Sequence, residues 1–319
     1  MSEISQYKWK VCVRCYTFNQ SSYIKDAMNG FVMQETSFPF VCMIVDDNST
    51  DGEQKIIKNF LDKYFDLQDK SIAREEETDD YILSFCQHRV NKNCYFAVLY
   101  LKYNHYQKKS KAPYLKEWRS QSKYEALCEG DDYWTDKHKL QCQFEFLESH
   151  PEHSLCYHAH LNEYADGNKK EFHRYNRDVE TCPMKDIIMG GGGYMATASM
   201  FYRRESVLNY PEWTKKRVVG DAALMLVLAT RGQVGYINRV MSTYRIASVG
   251  SWTNRIGADK ELKKKLYKKT LIFWDAFDEG TKRQWHSIVR KKKLKMEYHY
   301  LTKRNRYLKQ LINYIKRIK

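Results

Sequence analysis

Two short acidic runs hold the residues best suited to chemistry. Asp46-Asp47-Asn48-Ser49-Thr50-Asp51-Gly52 follows the apolar run Phe40-Val41-Cys42-Met43-Ile44-Val45, and Glu129-Gly130-Asp131-Asp132-Tyr133-Trp134 follows Tyr124-Glu125-Ala126-Leu127-Cys128. Carboxylates at such positions can accept hydrogen bonds from a base imide N–H or from ribose hydroxyls. Asp, Asn and Ser also build turns and cap the helix that follows, so both roles are open for the first run. The second run places three acids around the small Gly130. Carboxylates clustered in a loop bind hard divalent cations through oxygen, and such a cation can bridge two phosphates. The plainer role is a capped turn ahead of a helix over 136–149.

The elements that must position these runs follow from periodicity. Residues 9–16 and 40–45 are β-rich apolar runs ending in polar loops, as buried strands do. A helix capped by Ser21 or Ser22 is expected to run through Met33, and Ile56, Ile57, Phe60, Leu61 and Tyr64 recur at helical spacing after Asn48-Ser49-Thr50. Strand, helix, strand, helix implies a parallel sheet, and open sheets of that kind place ligand crevices beyond the carboxyl ends of their strands. Further strands are expected at 94–101 and 124–128, and helices at 136–149 and 219–231. Residues 66–93, polar and acidic, are expected to form a loop or an inserted helical excursion. Gly190-Gly191-Gly192-Gly193 is expected to be a hinge or loop, because four glycines lose too much entropy inside a regular element.

The charge is unevenly distributed. Of a net +15, residues 258–319 contribute 20 Lys/Arg against 6 Asp/Glu. That stretch reads as basic, aromatic-rich helices with a stripe of Leu301, Leu308, Leu311, Ile312, Ile315 and Ile318. Trp274, Trp285, Tyr298, Tyr300, Tyr307 and Tyr314 interleave with the cations. Basic helices with aromatic anchors suit an anionic membrane surface, at about 1 kcal/mol per cation near the leaflet; the alternative is a solvated face packed through its apolar stripe. No nucleic-acid-binding motif accompanies the run. The expected organisation is therefore a catalytic domain over 1–257 and a helical extension over 258–319. The first ten residues lack an apolar signal core, so the expected location is cytoplasmic, peripheral on the inner face of the membrane. Nine cysteines without a dense framework read as reduced, packed thiols.

Together, Tyr16-Thr17-Phe18-Asn19, Val45 through Gly52, and Leu127-Cys128-Glu129-Gly130-Asp131-Asp132-Tyr133-Trp134-Thr135-Asp136 resemble the motifs of glycosyltransferase family 2. The resemblance covers about residues 9–250 and extends to bacterial members that assemble capsule, lipopolysaccharide or other surface glycans. It implies the GT-A fold, an α/β architecture with a mixed, mainly parallel sheet flanked by helices. It also implies a nucleotide-sugar donor, most often a UDP-sugar, and a glycan or lipid-linked acceptor.

By the same resemblance, Thr17, Asn19, Asp46 and Asp47 hold the nucleoside, with Asp47 facing a uracil imide. Asp131 ligates Mn²⁺ or Mg²⁺, Asp132 lies beside it, and Glu129 reaches a ribose or a metal-bound water. Asp221, at the head of an apolar helix after Val219-Gly220, is the implied general base, its alternative role being a helix cap. Tyr244-Arg245-Ile246-Ala247 resembles the family's lid element, but Ala247 stands where relatives often carry a histidine, as metal ligand or phosphate contact; Arg245 or Ser248 then compensates on the cofactor side. Cys156, His158 and His160 alternate on one strand face, a spacing compatible with zinc, although packing is the expected role. Two other readings stand beside an inverting glycosyltransferase: a metal-dependent nucleotidyltransferase, and a non-catalytic glycan- or membrane-binding protein that keeps the fold.

Overall fold

The computed structural model describes residues 7–106, 108–246 and 260–304. They fall into two compact units, each described by itself. Among the described residues the first comprises 7–106, 108–182, 195–208 and 228–246; the second comprises 183–194, 209–227 and 260–304.

The first unit is built on a twelve-stranded sheet. Its centre is parallel: β1 (Trp9–Thr17) lies between β2 (Phe40–Asp46) and β7 (Ser122–Leu127), and β2 pairs in turn with β6 (Cys94–Leu101). Every residue of β2 is buried, as expected for a strand covered on both faces. Cys42 and Ile44 pack with α1 (Ile24–Val32), α2 (Glu53–Tyr64) and α4 (Lys139–Ser149). Val41, Met43 and Val45 pack on the opposite face with Leu115 and Trp118, the latter in the short α3 (Lys116–Ser120). Helix α1 inserts Ile24, Ala27, Met28 and Phe31, a one-faced stripe. Phe31 is fully buried, and its truncation to Ala would cost about 3–5 kcal/mol. The helix starts later than its serines suggest, because the Ser21 N–H is donated to Asp51 and Tyr23 holds the cap position.

Residues 66–93 depart from the expected loop or helix. They form β3 (Phe65–Asp66), β4 (Arg74–Glu77) and β5 (Tyr81–His88), with β5 antiparallel to β6. The acidic run masked a β-rich segment in which Leu83, Cys86 and His88 are buried. Pairing with a fully buried neighbour then outweighs local polarity. Beyond β7 the sheet continues through β11 (Phe201–Arg203), antiparallel to both neighbours, then β9 (His153–Glu163) and β12 (Gln233–Arg245), a parallel pair. The short β8 (Tyr133–Trp134) pairs with β12, and β10 (Lys169–Phe172) pairs with β9.

The second unit is helical. It contains α5 (Met184–Gly190), α6 (Gly220–Ala229) as far as Val227, α7 (Lys260–Gly280) and α8 (His286–Arg304). Trp213 packs edge-on against Phe273 and Phe277 of α7, and Tyr267 stacks on Tyr300 of α8 at 4.2 Å between ring centres. The glycine run is more regular than expected: Gly190 ends α5 and Gly191–Gly193 form a 3-10 turn. Gly191 has φ +61°, and a Cβ there would lie 2.9 Å from Lys292 Nζ, which donates to the Met189 carbonyl at 2.9 Å. The glycine thus lets α8 cap the end of α5. The expected stripe positions from Leu308 onward lie outside the described residues.

Candidate active site

The site begins where three parallel strands end side by side. Thr17 is in register with Asp46, and β1–β7 pairing extends into the second acidic loop through Cys128 N–H to Arg14 O (3.1 Å) and Gly130 N–H to Tyr16 O (3.0 Å). Both acidic loops therefore flank the end of β1. Gly130 lies so close to Thr17 that a Cβ would fall 2.3 Å from the Thr17 hydroxyl and 2.4 Å from Gln20 Oε1. Only glycine fits there.

Glu53, the first residue of α2, is a hub that the motifs did not indicate. Its fully buried carboxylate accepts from the Thr17 hydroxyl, from the Gln20 N–H at 2.9 Å and from the Ser49 hydroxyl at 2.8 Å. Thr17 Oγ1 is also 2.8 Å from Gln20 Oε1. With one proton to give, Thr17 serves Glu53 and accepts from Gln20 once that amide is turned. Burial raises the Glu53 pKa against these hydrogen bonds. A second set of bonds joins the same loops: Asn19 N–H to Ser49 Oγ (2.9 Å) and Thr50 N–H to Asn19 Oδ1 (2.8 Å). Asn19 has φ +53° and Asn48 φ +62°, a region asparagine enters more readily than most residues.

The adjacent aspartates part company because successive strand residues face opposite ways. Asp46 is fully buried and serves its own loop, accepting from the Ser49 N–H at 3.2 Å and from Gln54 Nε2 at 2.5 Å; burial raises its pKa. Asp47 turns to the segment after β6, where its carboxylate accepts the His105 N–H at 2.7 Å and pairs with Lys111 Nζ at 2.7 Å. Asn104 donates to the Asp47 carbonyl at 3.0 Å. Lys111, His105 and Asn104 carry no motif, and only strand order brings them here.

Asp132 is buried, while Glu129 and Asp131 are partly exposed. Burial, then Asp131, drives the Asp132 pKa well up, with Glu129 adding to the effect. The buried Cys15 thiol feels the same field: after burial, Glu129, Glu53, Asp131 and Asp132 raise its pKa. Clustered negative potential and oxygen donors fit Mg²⁺ or Mn²⁺. Among the described residues no three His, Cys, Asp or Glu side chains are arranged to hold an ion by themselves. A cation bound through one or two carboxylates, with phosphate and water completing its shell, is compatible with that arrangement.

Arg245, at the end of β12, reaches this loop. Its backbone N–H donates to Asp132 Oδ1 at 2.9 Å and its Nη1 to the Asp131 carbonyl at 3.0 Å. Behind the loop, Trp134 Nε1 donates to the Ala198 carbonyl, and buried Lys139 places its ammonium 4.2 Å from the Trp134 ring centre. Lys139 Nζ donates to Gln143 Oε1 at 2.6 Å, and burial lowers its pKa to about 7. Cys156 donates to the Gln143 carbonyl, His158 Nδ1 lies 2.7 Å from the Ala159 carbonyl, and His160 tilts against Phe172. Asp221 belongs to the second unit, in the first turn of α6, where its Oδ1 accepts the Ala222 N–H at 2.6 Å. Ala247 and Ser248 lie outside the described residues.

Solved structures place this architecture. The chain resembles S. aureus TarS 1-349 in complex with UDP-GlcNAc, with a TM-score of 0.55 at 14% identity over 84% of this chain and 66% of that one. It also resembles the mannosyltransferase PcManGT from Pyrobaculum calidifontis in complex with GDP-Man and Mn²⁺, with a TM-score of 0.50 at 11% identity over 92% of this chain and 74% of that one. The fold is GT-A. No protein-family model matches the chain. In sequence it is 30% identical over 239 residues to the uncharacterized proteins Rv1520 of Mycobacterium tuberculosis and Mb1547 of Mycobacterium bovis. That match takes in 74% of this chain but 58% of each relative's length. No helix among the described residues of this GT-A chain is long and apolar enough to cross a membrane.

Proposed function

We propose that this chain is an inverting, metal-dependent glycosyltransferase of the family-2 type. It moves a sugar from a nucleoside diphosphate donor, a UDP-sugar in our reading, to a carbohydrate or lipid-linked acceptor in bacterial surface-polysaccharide synthesis. The observation that carries this reading is the meeting of the Thr17–Glu53 hub with the Glu129–Asp132 loop at the carboxyl ends of β1, β2 and β7. The donors named for the structural neighbours, UDP-GlcNAc and GDP-Man, are of the proposed class.

Thr17, Asn19, Asp46 and Asp47 line the nucleoside side. Asp46 acts through the loop it holds, and Asp47 through Lys111 and the segment after β6, as well as by any direct contact. Asp131, with Glu129 and Asp132 beside it, would hold Mn²⁺ or Mg²⁺, whose chemistry is to neutralise charge on the departing diphosphate. Asp221 takes the proton of the acceptor hydroxyl as its oxygen bonds to the anomeric carbon and the bond from that carbon to the diphosphate breaks. The basic segment 258–319 rests on an anionic leaflet. In support, Ile272, Leu294 and Leu301 are exposed among the cations of α7 and α8.

A panel of nucleotide sugars, assayed for slow donor hydrolysis with and without Mn²⁺, tests the reading without knowledge of the acceptor. Metal-stimulated release of a nucleoside diphosphate is the expected result. Release of pyrophosphate would favour nucleotidyl transfer, and no metal-dependent nucleotide binding would favour a non-catalytic protein. The leaflet contact is tested by replacing the tail lysines with glutamine: binding to anionic vesicles should fall at low salt.

A further inference from the structure

Arg245 is held more completely than a phosphate-contacting arginine needs to be. Besides the bonds to Asp131 and Asp132, its Nη2 meets Asp26 Oδ2 of α1 at 2.5 Å and its Nε meets Glu163 Oε2, its partner across the β9–β12 ladder, at 3.1 Å. The guanidinium carbon lies 4.9 Å from the Tyr23 ring centre and 4.5 Å from that of Tyr133. The side chain is 12% exposed. One planar cation thus joins four segments of the first unit: the start of α1, the acidic loop, the end of β9 and the end of β12. Such a fork suits arginine, whose donors are fixed in one plane; lysine offers a point charge on a flexible stem.

We propose that Arg245 is the positioning residue of the acidic loop. It acts through Asp131 and Asp132, not by touching the donor. Two effects combine. The bond to the Asp131 carbonyl fixes the backbone from which the Asp131 side chain projects. The bond from the Arg245 backbone N–H to Asp132 Oδ1 at 2.9 Å holds the neighbouring carboxylate in place. Asp26 and Glu163 hold the guanidinium in turn, so the loop's geometry is set before any ligand arrives. This assignment differs from the direct cofactor contact expected of Arg245, and it rests on the proposed use of a divalent cation with a nucleotide.

The test measures Mn²⁺ affinity by calorimetry and by the electron paramagnetic resonance of free Mn²⁺, and UDP affinity with and without Mn²⁺, alongside thermal unfolding. It uses the full chain and the variants Arg245→Gln, Arg245→Lys and Asp26→Asn. Loss of an outer-shell partner typically weakens metal binding about 10–100-fold. Arg245→Gln should lose that much in Mn²⁺-supported UDP binding while its Mn²⁺-independent UDP affinity holds. Arg245→Lys should recover part of the loss, and Asp26→Asn should fall between Arg245→Gln and the parent. A folded Arg245→Gln protein that binds Mn²⁺ and UDP like the parent overturns the proposal. If Arg245→Gln does not fold, Asp26→Asn decides, since its side chain is half exposed and Arg245 is intact: weakened Mn²⁺ binding supports the assignment, and unchanged binding overturns it. A parent that shows no metal-dependent nucleotide binding removes the functional reading itself, an outcome separate from either variant result.

Discussion

Gly130 and Thr17 touch so closely that no side chain larger than hydrogen fits between the two loops they belong to. The contact fixes the spacing between the nucleoside-side hub and the acidic loop. Gly130→Ala should force the loops apart, at about 1–3 kcal/mol of overpacking. The expected outcome is a lowered unfolding midpoint together with weaker UDP binding. A variant with the parent's midpoint and affinity would show that the loops move freely past one another.

Asp131→Asn should abolish Mn²⁺-supported UDP binding and leave the fold intact, because the carboxylate is partly exposed and not part of the core. Calorimetry with and without Mn²⁺ measures this. Unchanged affinity in the presence of the metal would remove Asp131 from the ligand set.

Asp221→Asn should keep donor binding and lose transfer by about 10²–10⁴, the usual contribution of a general base. Single-turnover transfer to an identified acceptor is the measurement. Near-normal turnover would return Asp221 to a role in the first turn of α6, where it already bonds the Ala222 N–H.

Lys139 predicts a pH dependence of stability. Its pKa falls from the usual 10.5 to about 7 on folding, so between those values the unfolded chain holds a proton that the folded chain has released. Stability from this group therefore rises with pH across that window, by at most about 1.4 kcal/mol per unit, and is lost as pH falls toward 7 and below. Lys139→Met removes the group. Its advantage over the parent in chemical denaturation should shrink by about 2 kcal/mol from pH 7 to pH 9. A constant difference between the two proteins would mean that Lys139 stays charged within the fold.

Much of the central sheet can be read from the chain because β2 and β6 are covered on both faces and appear as nearly unbroken apolar runs, while β1 keeps enough apolar residues around Lys10 and Arg14 to show as a strand. β5 was hidden because its identity comes from pairing with β6, a relation between residues that polarity in the preceding loop obscures. The acidic loops were visible as composition, but the division of labour within them was not. Asp46 and Asp47 are chemically identical neighbours, and only strand alternation sends one to its own turn and the other to Lys111. Glu53 resembles any acid in the first turn of a helix, a position such residues favour for electrostatic reasons alone. Its role arises from Thr17, Gln20 and Ser49, which reach it from two other loops.

The acidic stretch that disguised β4 also has a use at the rim of the molecule. Arg74-Glu75-Glu76-Glu77 is exposed along its whole length and pairs with β5 near one end of the sheet. An uncovered strand edge is a template on which another chain can add a strand, and charged side chains are one way proteins prevent it. A second copy docking through β4 would bring three glutamates against three glutamates. Neutralising them should therefore favour strand-to-strand aggregation, although none of the three belongs to the acidic loops that follow β2 and β7.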